Sequence, residues 1–292
     1  MDFGSLLTAM VTPFDELGNV DEVALKGLVD HLIATGTTSI VACGTTGESP
    51  TLDHDEKLRV FEMTLRAADG RIPVIAGTGT NATRESIEFS REAEKLGVHG
   101  LLVVTPYYNR PSQDGLYAHF ASVAEAVSLP VMLYNVPGRT SVNLDVDTVL
   151  RLAQVPNIFA LKEASGNFTQ ILHIAAEKPD DFLFYSGDDK FTLPMLSLGA
   201  AGVVSVASHV VGSEIRKMMD LFWQGQTTEA AVLSARLLPV FEAMFMAPSP
   251  APVKAATALL GHSVGSVRLP LLPVSETFQD HLRELLSRLG KC

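Results

Sequence analysis

The chain has 292 residues, of which 47% are hydrophobic and 19% are charged, a composition typical of a globular protein. Its formal net charge of −11 argues against a nucleic-acid-binding protein, which would normally carry a basic face. The two cysteines, Cys43 and Cys292, form neither a disulfide framework nor a metal-binding spacing, so we expect a reducing, cytoplasmic location.

One uncharged stretch, residues 191–213, is long enough to span a bilayer. Pro194, Gly199, Gly202 and His209 interrupt it, which favours a helix end, a turn and a buried strand. The acidic start of the chain is unlike the basic start of a secretory signal. We therefore expect no membrane segment and no secretory signal.

Eight short apolar runs recur along the chain, each ending in small or polar residues and followed by a segment of helical periodicity. The runs occupy residues 6–14, 39–45, 73–79, 100–106, 130–137, 158–164, 182–189 and 202–208. Such regular alternation is typical of repeated βα units, whose strands are parallel and buried on both faces.

The intervening segments carry helix signals. The first places five apolar side chains on one face, at Leu25, Leu28, Val29, Leu32 and Ile33, before a stop at Gly36. Asp53 and Glu56 form a capping-box pattern for a helix that Gly70 ends. Gly97 and Gly199 end two further helices.

Eight strands alternating with helices predict an α/β fold, a (β/α)₈ TIM barrel. We expect residues 1–211 to form the barrel core, and residues 212–292 to add the last barrel helix and a small C-terminal helical appendage, packed as one unit. The competing fold is a doubly wound dinucleotide-binding domain, suggested by the G-x-G-x-x-A pattern of residues 77–82. The acidic residue that would confirm this alternative is missing after the next strand.

Active sites of barrels lie at the C-terminal ends of the strands. The polar residues predicted there are Thr45, Thr46, Glu48, Thr105, Tyr107, Tyr108, Tyr134, Asn135, Arg139, Lys162, Glu163, Asp188 and Asp189. The chain lacks the H-E-x-x-H zinc motif, the G-x-S-x-G nucleophile motif and the phosphate-binding P-loop. Asp188 and Asp189 could bind a metal, but a structural role is favoured, and we expect neither a metal nor an organic cofactor.

Lys162 ends an apolar run, where burial would lower the pKa of its amine. A neutral amine can form a Schiff base with a ketone and make the adjacent carbon acidic. Tyrosine hydroxyls suit the proton transfers of such a reaction, and Arg139 suits a substrate carboxylate. The competing interpretations are a solvated Lys162 or an ion pair with Glu163, packing roles for the tyrosines, and a surface role for Arg139.

The chain resembles the dihydrodipicolinate synthase (4-hydroxy-tetrahydrodipicolinate synthase) family of pyruvate-dependent class I aldolases. The resemblance extends over essentially the whole chain, and its motifs occur in the right order. They are "GTTGES" (44–49), "AGTGTNAT" (76–83), "TPYYNRPSQDGLYAHF" (105–120), "YNVPGRT" (134–140), "LKEASGN" (161–167), "SGDD" (186–189) and "GVVSV" (202–206).

The resemblance implies a condensation of pyruvate with L-aspartate 4-semialdehyde, in lysine and diaminopimelate biosynthesis. Lys162 would form the Schiff base, and Thr45, Tyr134 and Tyr108 would relay protons, with Tyr108 donated across a tight dimer interface. Thr45 and Thr46 would seat the pyruvate carboxylate. Arg139 would bind the carboxylate of the second substrate, and the carbonyl of Val204 would face the lysine. The family further implies a homotetramer built as a dimer of dimers.

Two alternative functions are weighed beside this one. N-acetylneuraminate lyase and the keto-sugar-acid aldolases share the lysine and the tyrosine, but they typically lack an arginine in the context of Arg139. A short acidic aldehyde suits that arginine better than a polyhydroxy sugar does. The other alternative, a barrel that only binds a regulatory ligand, conflicts with the complete set Thr45, Tyr108, Tyr134, Arg139 and Lys162.

Many members of the family are inhibited by lysine, which binds at the dimer interface. By resemblance, the corresponding positions are Ser49, His54, Asn81, Glu85 and Tyr107. Pro50 and Lys57 depart from the strongly inhibited pattern, and a cationic Lys57 would repel a cationic ligand. We therefore expect weak or absent feedback by lysine.

Overall fold

The computed structural model describes residues 2–291, so Cys292 and the interpretation of its thiol lie outside the described residues. Eight parallel strands form a closed barrel in which each strand pairs with the next and the eighth pairs with the first. They are β1 (Leu6–Ala9), β2 (Ser39–Ala42), β3 (Val74–Gly77), β4 (Gly100–Val104), β5 (Val131–Asn135), β6 (Ile158–Glu163), β7 (Leu183–Ser186) and β8 (Gly202–Ser205). The predicted (β/α)₈ barrel is confirmed.

The helices surround this barrel and extend beyond it. They are α1 (Glu22–Ala34), α2 (His54–Ala68), α3 (Thr83–Leu96), α4 (Gln113–Glu125), α5 (Pro137–Thr140), α6 (Val146–Leu152), α7 (Phe168–Glu177), α8 (Thr192–Leu196), α9 (Ser208–Trp223), α10 (Thr227–Ala243), α11 (Ala251–Leu259) and α12 (Glu276–Arg288). One-turn 3₁₀ helices occupy Ser49–Thr51 and Asp189–Phe191.

The dinucleotide-binding alternative is wrong, because a doubly wound sheet is open whereas β8 here pairs with β1. The glycines that suggested it are explained by close packing of the backbone. A Cβ atom at Gly77 would lie 2.5 Å from the Cys43 carbonyl oxygen, and one at Gly79 would lie 2.4 Å from the Val104 nitrogen. Glycine is therefore required where these segments meet.

Alternate residues along the strands form two cores, since successive side chains point to opposite faces. The inner core fills the barrel with side chains that include Leu7, Val41, Ile75, Met132, Ala160, Tyr185 and Val204. The outer core lies between the strands and the helices. Burial on both faces explains why the strands are continuous apolar runs, which the sequence displays.

The helix signals are confirmed, with one adjustment. Asp53 and Glu56 form a complete capping box at the start of α2. This helix ends at Ala68, and both Asp69 and Gly70 take left-handed conformations after it, so Gly70 shares the stop with Asp69. Gly97 caps α3 in the left-handed conformation that favours glycine.

Helices α10 to α12 form the C-terminal appendage, which packs against α9. The proposed division after residue 211 falls inside α9, at Val211, whose non-helical backbone (φ −130°) kinks the helix. That division stays a prediction. The uncharged residues 191–213 form α8, β8 and the start of α9, as expected. Across residues 2–291, every helix is too short or too polar to cross a membrane.

Candidate active site

Lys162 lies near the C-terminal end of β6, between Tyr134 on β5 and Tyr185 on β7. Only 5% of the residue is exposed, and its Nζ lies 4.2 Å from the centroid of the Tyr134 ring. Glu163 points to the other face of the strand, where it accepts hydrogen bonds from Asn135 Nδ2 and the Ser165 N–H. The interpretation of Lys162 as a solvated lysine or as an ion-pair partner of Glu163 is therefore wrong.

Burial lowers the pKa of Lys162 to about 7, because the barrel offers little water to solvate an ammonium group. The Asp189 carboxylate opposes this effect, and the Arg139 guanidinium adds to it. At neutral pH, a substantial share of the amine is consequently neutral. A neutral, buried amine at a barrel mouth can attack a carbonyl carbon.

Tyr134 and Thr45 place two hydroxyl groups side by side in the wall of the cavity. Burial raises the pKa of Tyr134, while the nearby Arg139 charge and a hydrogen bond with Thr45 lower it. The phenol is therefore a proton donor at neutral pH, in contact with a second hydroxyl. Such a pair can pass a proton between a reacting group and solvent.

A cavity of about 280 Å³ opens at this end of the barrel and is lined by Thr45, Tyr134 and Arg139. Arg139 lies on α5, directly after β5, and its side chain is exposed at the cavity mouth. The cavity is large enough for small acids, and its arginine fork suits a carboxylate. The structure thus brings together Lys162, Tyr134, Thr45 and Arg139.

The Thr45–Thr46 segment is part of a compact turn of residues 44–49. The Gly47 N–H donates to the Gly44 carbonyl, and the Glu48 N–H donates to the Thr45 carbonyl. Thr12 Oγ1 donates to the Gly47 carbonyl and ties this turn to the end of β1. Thr46 is buried in the turn, and its contact with a substrate carboxylate stays a prediction.

For two other predicted site residues, Tyr108 and Val204, the structure of the single chain gives no contact with Lys162. Tyr108 is 88% exposed, has a left-handed backbone (φ 74°), and is not among the residues that line the cavity of its own chain. Val204 lies on β8 within the inner core that also contains Tyr134. The roles of Tyr108 across an interface and of the Val204 carbonyl stay predictions.

Only two of the five residues of the proposed lysine site line the cavity. Ser49 and Tyr107 line the cavity, as do Pro50 and Lys57. The negative charge of Glu85 adds to burial in raising the pKa of Tyr107, which places Glu85 nearby.

The other two residues of that proposed site have partners within the chain. The His54 ring is paired with Glu92 at 2.5 Å. The Asn81 carbonyl accepts a hydrogen bond from Asn109. Neither residue lines the cavity.

The structural role favoured for Asp188 and Asp189 is confirmed. Asp188 accepts a hydrogen bond from the Lys190 N–H at the start of the 3₁₀ helix. Asp189 is buried, and its carboxylate accepts from Ser205 Oγ and from two backbone N–H groups, those of Val206 and Ala207. Across residues 2–291, no three side chains among His, Cys, Asp and Glu cluster in a way that could hold a metal.

Comparison with known proteins agrees with this geometry. A model of the dihydrodipicolinate synthetase family matches residues 2–289. The 4-hydroxy-tetrahydrodipicolinate synthase of Bacillus velezensis is 54% identical over 289 residues, covering 99% of this chain and 100% of the relative. A dihydrodipicolinate synthase of Cyanidioschyzon merolae with lysine bound is 46% identical, with a TM-score of 0.97 and 99% of each chain covered.

A second solved structure is the chloride-inhibited dihydrodipicolinate synthase of Acinetobacter baumannii complexed with pyruvate. It is 40% identical, with a TM-score of 0.96 and 100% of each chain covered. Identity of this extent along the full chain, together with a buried lysine at the barrel mouth, establishes the family. The chain belongs to the dihydrodipicolinate synthetase family.

Proposed function

We propose that the protein condenses pyruvate with L-aspartate 4-semialdehyde to form 4-hydroxy-tetrahydrodipicolinate, in lysine and diaminopimelate biosynthesis. The observation that carries this proposal is Lys162, buried beside Tyr134 with its pKa lowered to about 7. The function of the relatives supports the reaction, and the pyruvate complex of the Acinetobacter relative supports the first substrate.

The reaction begins when the neutral Lys162 amine adds to the keto carbon of pyruvate. The resulting hydroxyl group leaves as water after it is protonated, and an imine remains. The protonated imine withdraws electrons, so the methyl group of pyruvate loses a proton and an enamine forms. Tyr134 and Thr45, which share a hydrogen bond, are the groups that move these protons.

The enamine carbon then attacks the aldehyde carbon of the second substrate, and the carbon–carbon bond forms. The amino group of that substrate attacks the imine carbon, closes the ring and releases Lys162 as a free amine. Arg139 binds the carboxylate of the semialdehyde, which places the aldehyde over the enamine. Its exposed position at the cavity mouth suits a group that meets the second substrate.

We place Tyr108 in the active site of a second copy of the chain, within a tetramer assembled as a dimer of dimers. Its exposed phenol supports this assignment, since aromatic residues are enriched in the cores of protein–protein interfaces. The Cyanidioschyzon merolae relative, whose structure has lysine bound, supports a lysine site in the family. A cytoplasmic location agrees with the free, buried thiol of Cys43.

The test is pyruvate consumption with aspartate semialdehyde or with N-acetylmannosamine, for the wild-type chain and for Lys162→Ala. We expect turnover with the semialdehyde alone and none in the variant. Borohydride should link pyruvate to the wild-type chain but not to Lys162→Ala. Turnover with the sugar alone would keep the Schiff base but would overturn the assignment of Arg139.

The role of Tyr108 is tested by mixing two inactive variants, Lys162→Ala and Tyr108→Phe. If Tyr108 acts in the partner's site, half of the dimers formed by random reassembly carry one intact site, so about a quarter of wild-type activity returns. No recovery from a mixture shown to contain mixed dimers would contradict the assignment.

A further inference from the structure

Glu48 occupies an unusual position in the turn of residues 44–49. Its backbone is left-handed (φ 57°), a conformation that is costly for a residue with a side chain. A glycine would adopt it without strain, so the carboxylate must be needed at this position. The side chain is completely buried.

Two residues from the C-terminal appendage bind this carboxylate. The Nζ of Lys254, on α11, lies 2.7 Å from Glu48 Oε1, and only 3% of the Lys254 side chain is exposed. The Arg268 N–H donates to Glu48 Oε2 at 2.9 Å. Lys254 Nζ also donates to the Ser266 carbonyl at 2.8 Å, so the ammonium group has two oxygen partners.

The Arg268 side chain also binds residues that follow the turn in the chain, Thr51 and Glu56. Its guanidinium group donates to both oxygens of Glu56 on α2, at 2.5 and 2.8 Å, and to the Thr51 carbonyl at 2.8 Å. The Lys254 ammonium and the Arg268 guanidinium lie 4.1 and 4.3 Å from the centroid of the Phe14 ring. These charges join the appendage, the turn and the loop after β1 in one cluster, in which Glu48 and Lys254 are buried and Arg268 and Glu56 are partly exposed.

We propose that Glu48, Lys254 and Arg268 position the Thr45–Thr46 turn for the binding and activation of pyruvate. The C-terminal appendage is thereby part of the catalytic apparatus as well as of the fold. This inference rests on the proposed function, since it assigns the turn to pyruvate. The physical link is short, because the Glu48 N–H donates to the Thr45 carbonyl, and Thr45 in turn is hydrogen-bonded to Tyr134.

Displacement of the turn should affect the two substrates differently. Pyruvate is seated by Thr45 and Thr46, whereas Arg139, which meets the semialdehyde, lies on α5, outside both the turn and the C-terminal appendage. Loss of the cluster should therefore raise the KM for pyruvate and leave the KM for the semialdehyde unchanged. A purely structural role would lower the amount of folded enzyme without separating the two KM values.

The test compares Glu48→Gln and Lys254→Met with a control, Lys291→Met. Lys291 forms a 2.7 Å ion pair with Glu214 that lies outside the turn. We expect about a tenfold fall in kcat/KM for pyruvate in both cluster variants, with the KM for the semialdehyde within about twofold of wild type. The control should keep both KM values.

A double variant, Glu48→Gln with Lys254→Met, covers the case in which a single variant does not fold, since it leaves no buried charge unpaired. We expect it to fold and to keep the raised KM for pyruvate. A folded double variant with the wild-type KM for pyruvate would overturn the inference. Failure of the wild-type chain to link pyruvate through Lys162 would instead overturn the proposed function.

Discussion

Two opposing electrostatic effects set the reactivity of Lys162. Burial favours the neutral amine and the Asp189 carboxylate favours the charged one, with burial dominating. The positive charge of Arg139, at the cavity mouth, also favours the neutral Lys162 amine. The proposed binding of the second substrate by Arg139 is thus coupled to the protonation of Lys162.

We predict that activity rises with pH as Lys162 loses its proton, so that kcat/KM for pyruvate has an acid limb at about pH 7, the pKa of Lys162. Arg139→Gln removes a positive charge that favours the neutral amine. It should raise the pKa of Lys162 and move the limb to higher pH, and it should also raise the KM for the semialdehyde. Stopped assays across a pH series measure both effects.

Arg139→Lys is the matched control, because it keeps the charge and loses the bidentate geometry. Its acid limb should stay near that of the wild type while the KM for the semialdehyde rises. An acid limb that moves equally in both variants would contradict the electrostatic role of Arg139.

Lys57 lines the cavity beside Ser49 and Tyr107, which are two of the positions proposed to bind lysine. A lysine ligand there meets a like charge, which costs about 1 kcal/mol, or about fivefold in affinity. We predict no inhibition by sub-millimolar lysine, and a fall of about fivefold in the inhibitory concentration for Lys57→Gln. Lys95→Gln, a charge change on α3, should have no effect. Strong inhibition of the wild-type chain would contradict the prediction.

At the scale of elements, the closure of the barrel depends on the contact between β8 and β1. The Val203 N–H donates to the Ser5 carbonyl, and Gly202 (φ 156°) passes so close that an added Cβ would lie 1.9 Å from the same oxygen. β8 pairs with β7 on one side and with β1 on the other. The close approach of Gly202 to Ser5 is therefore needed for the hydrogen bonds between β8 and β1, which close the barrel.

We predict that Gly202→Ala destabilises the protein by about 3 kcal/mol, because the backbone must shift to admit the methyl group. The control is Gly27→Ala in the exposed middle of α1, where a Cβ would meet no atom within 4 Å. That change should stabilise the protein by up to about 1 kcal/mol, since alanine favours helix. Denaturant midpoints measure both changes. A fall in the midpoint of Gly27→Ala as large as that of Gly202→Ala would contradict the role of the close β8–β1 approach.

At the scale of the whole molecule, buried polar groups join parts of the chain that are far apart in sequence. His209, at the start of α9, accepts a hydrogen bond from the Val11 N–H at Nε2 and donates from Nδ1 to the Val206 carbonyl. Its ring is therefore held neutral between the ends of β1 and β8. Burial lowers the pKa of His209 to about 4.

This histidine makes the fold sensitive to acid. Between pH 6.5 and 4 the unfolded chain binds a proton at His209 and the folded chain does not, so stability falls as the pH falls. The full effect is about 3 kcal/mol. We predict that His209→Gln lowers stability at pH 7 and flattens its dependence on pH, as measured by denaturant unfolding at pH 4.5 and 7. Exposed His173→Gln should keep the wild-type slope, and an unchanged slope in His209→Gln would contradict the assignment.

The architecture and the position of the site follow from the sequence. Strands buried on both faces must be continuous apolar runs, and the spacing of those runs determines their number and their parallel order. Since the C-terminal ends of parallel strands meet at one end of a barrel, the sequence predicts that Thr45, Tyr134, Arg139 and Lys162 lie close together. The family motifs then determined the chemistry.

Tertiary structure alone decided which of these groups point inward and what holds them. Lys162 and Glu163 are adjacent in the chain, and only the barrel fold places the first against the Tyr134 ring and the second on the opposite face of β6, beside Asn135. Lys254 is not among the predicted site residues, although a lysine inside the apolar run of α11 is a local signal of a buried, paired ammonium group. Its pairing with Glu48 depends on folding two distant segments together, so no local pattern encodes it.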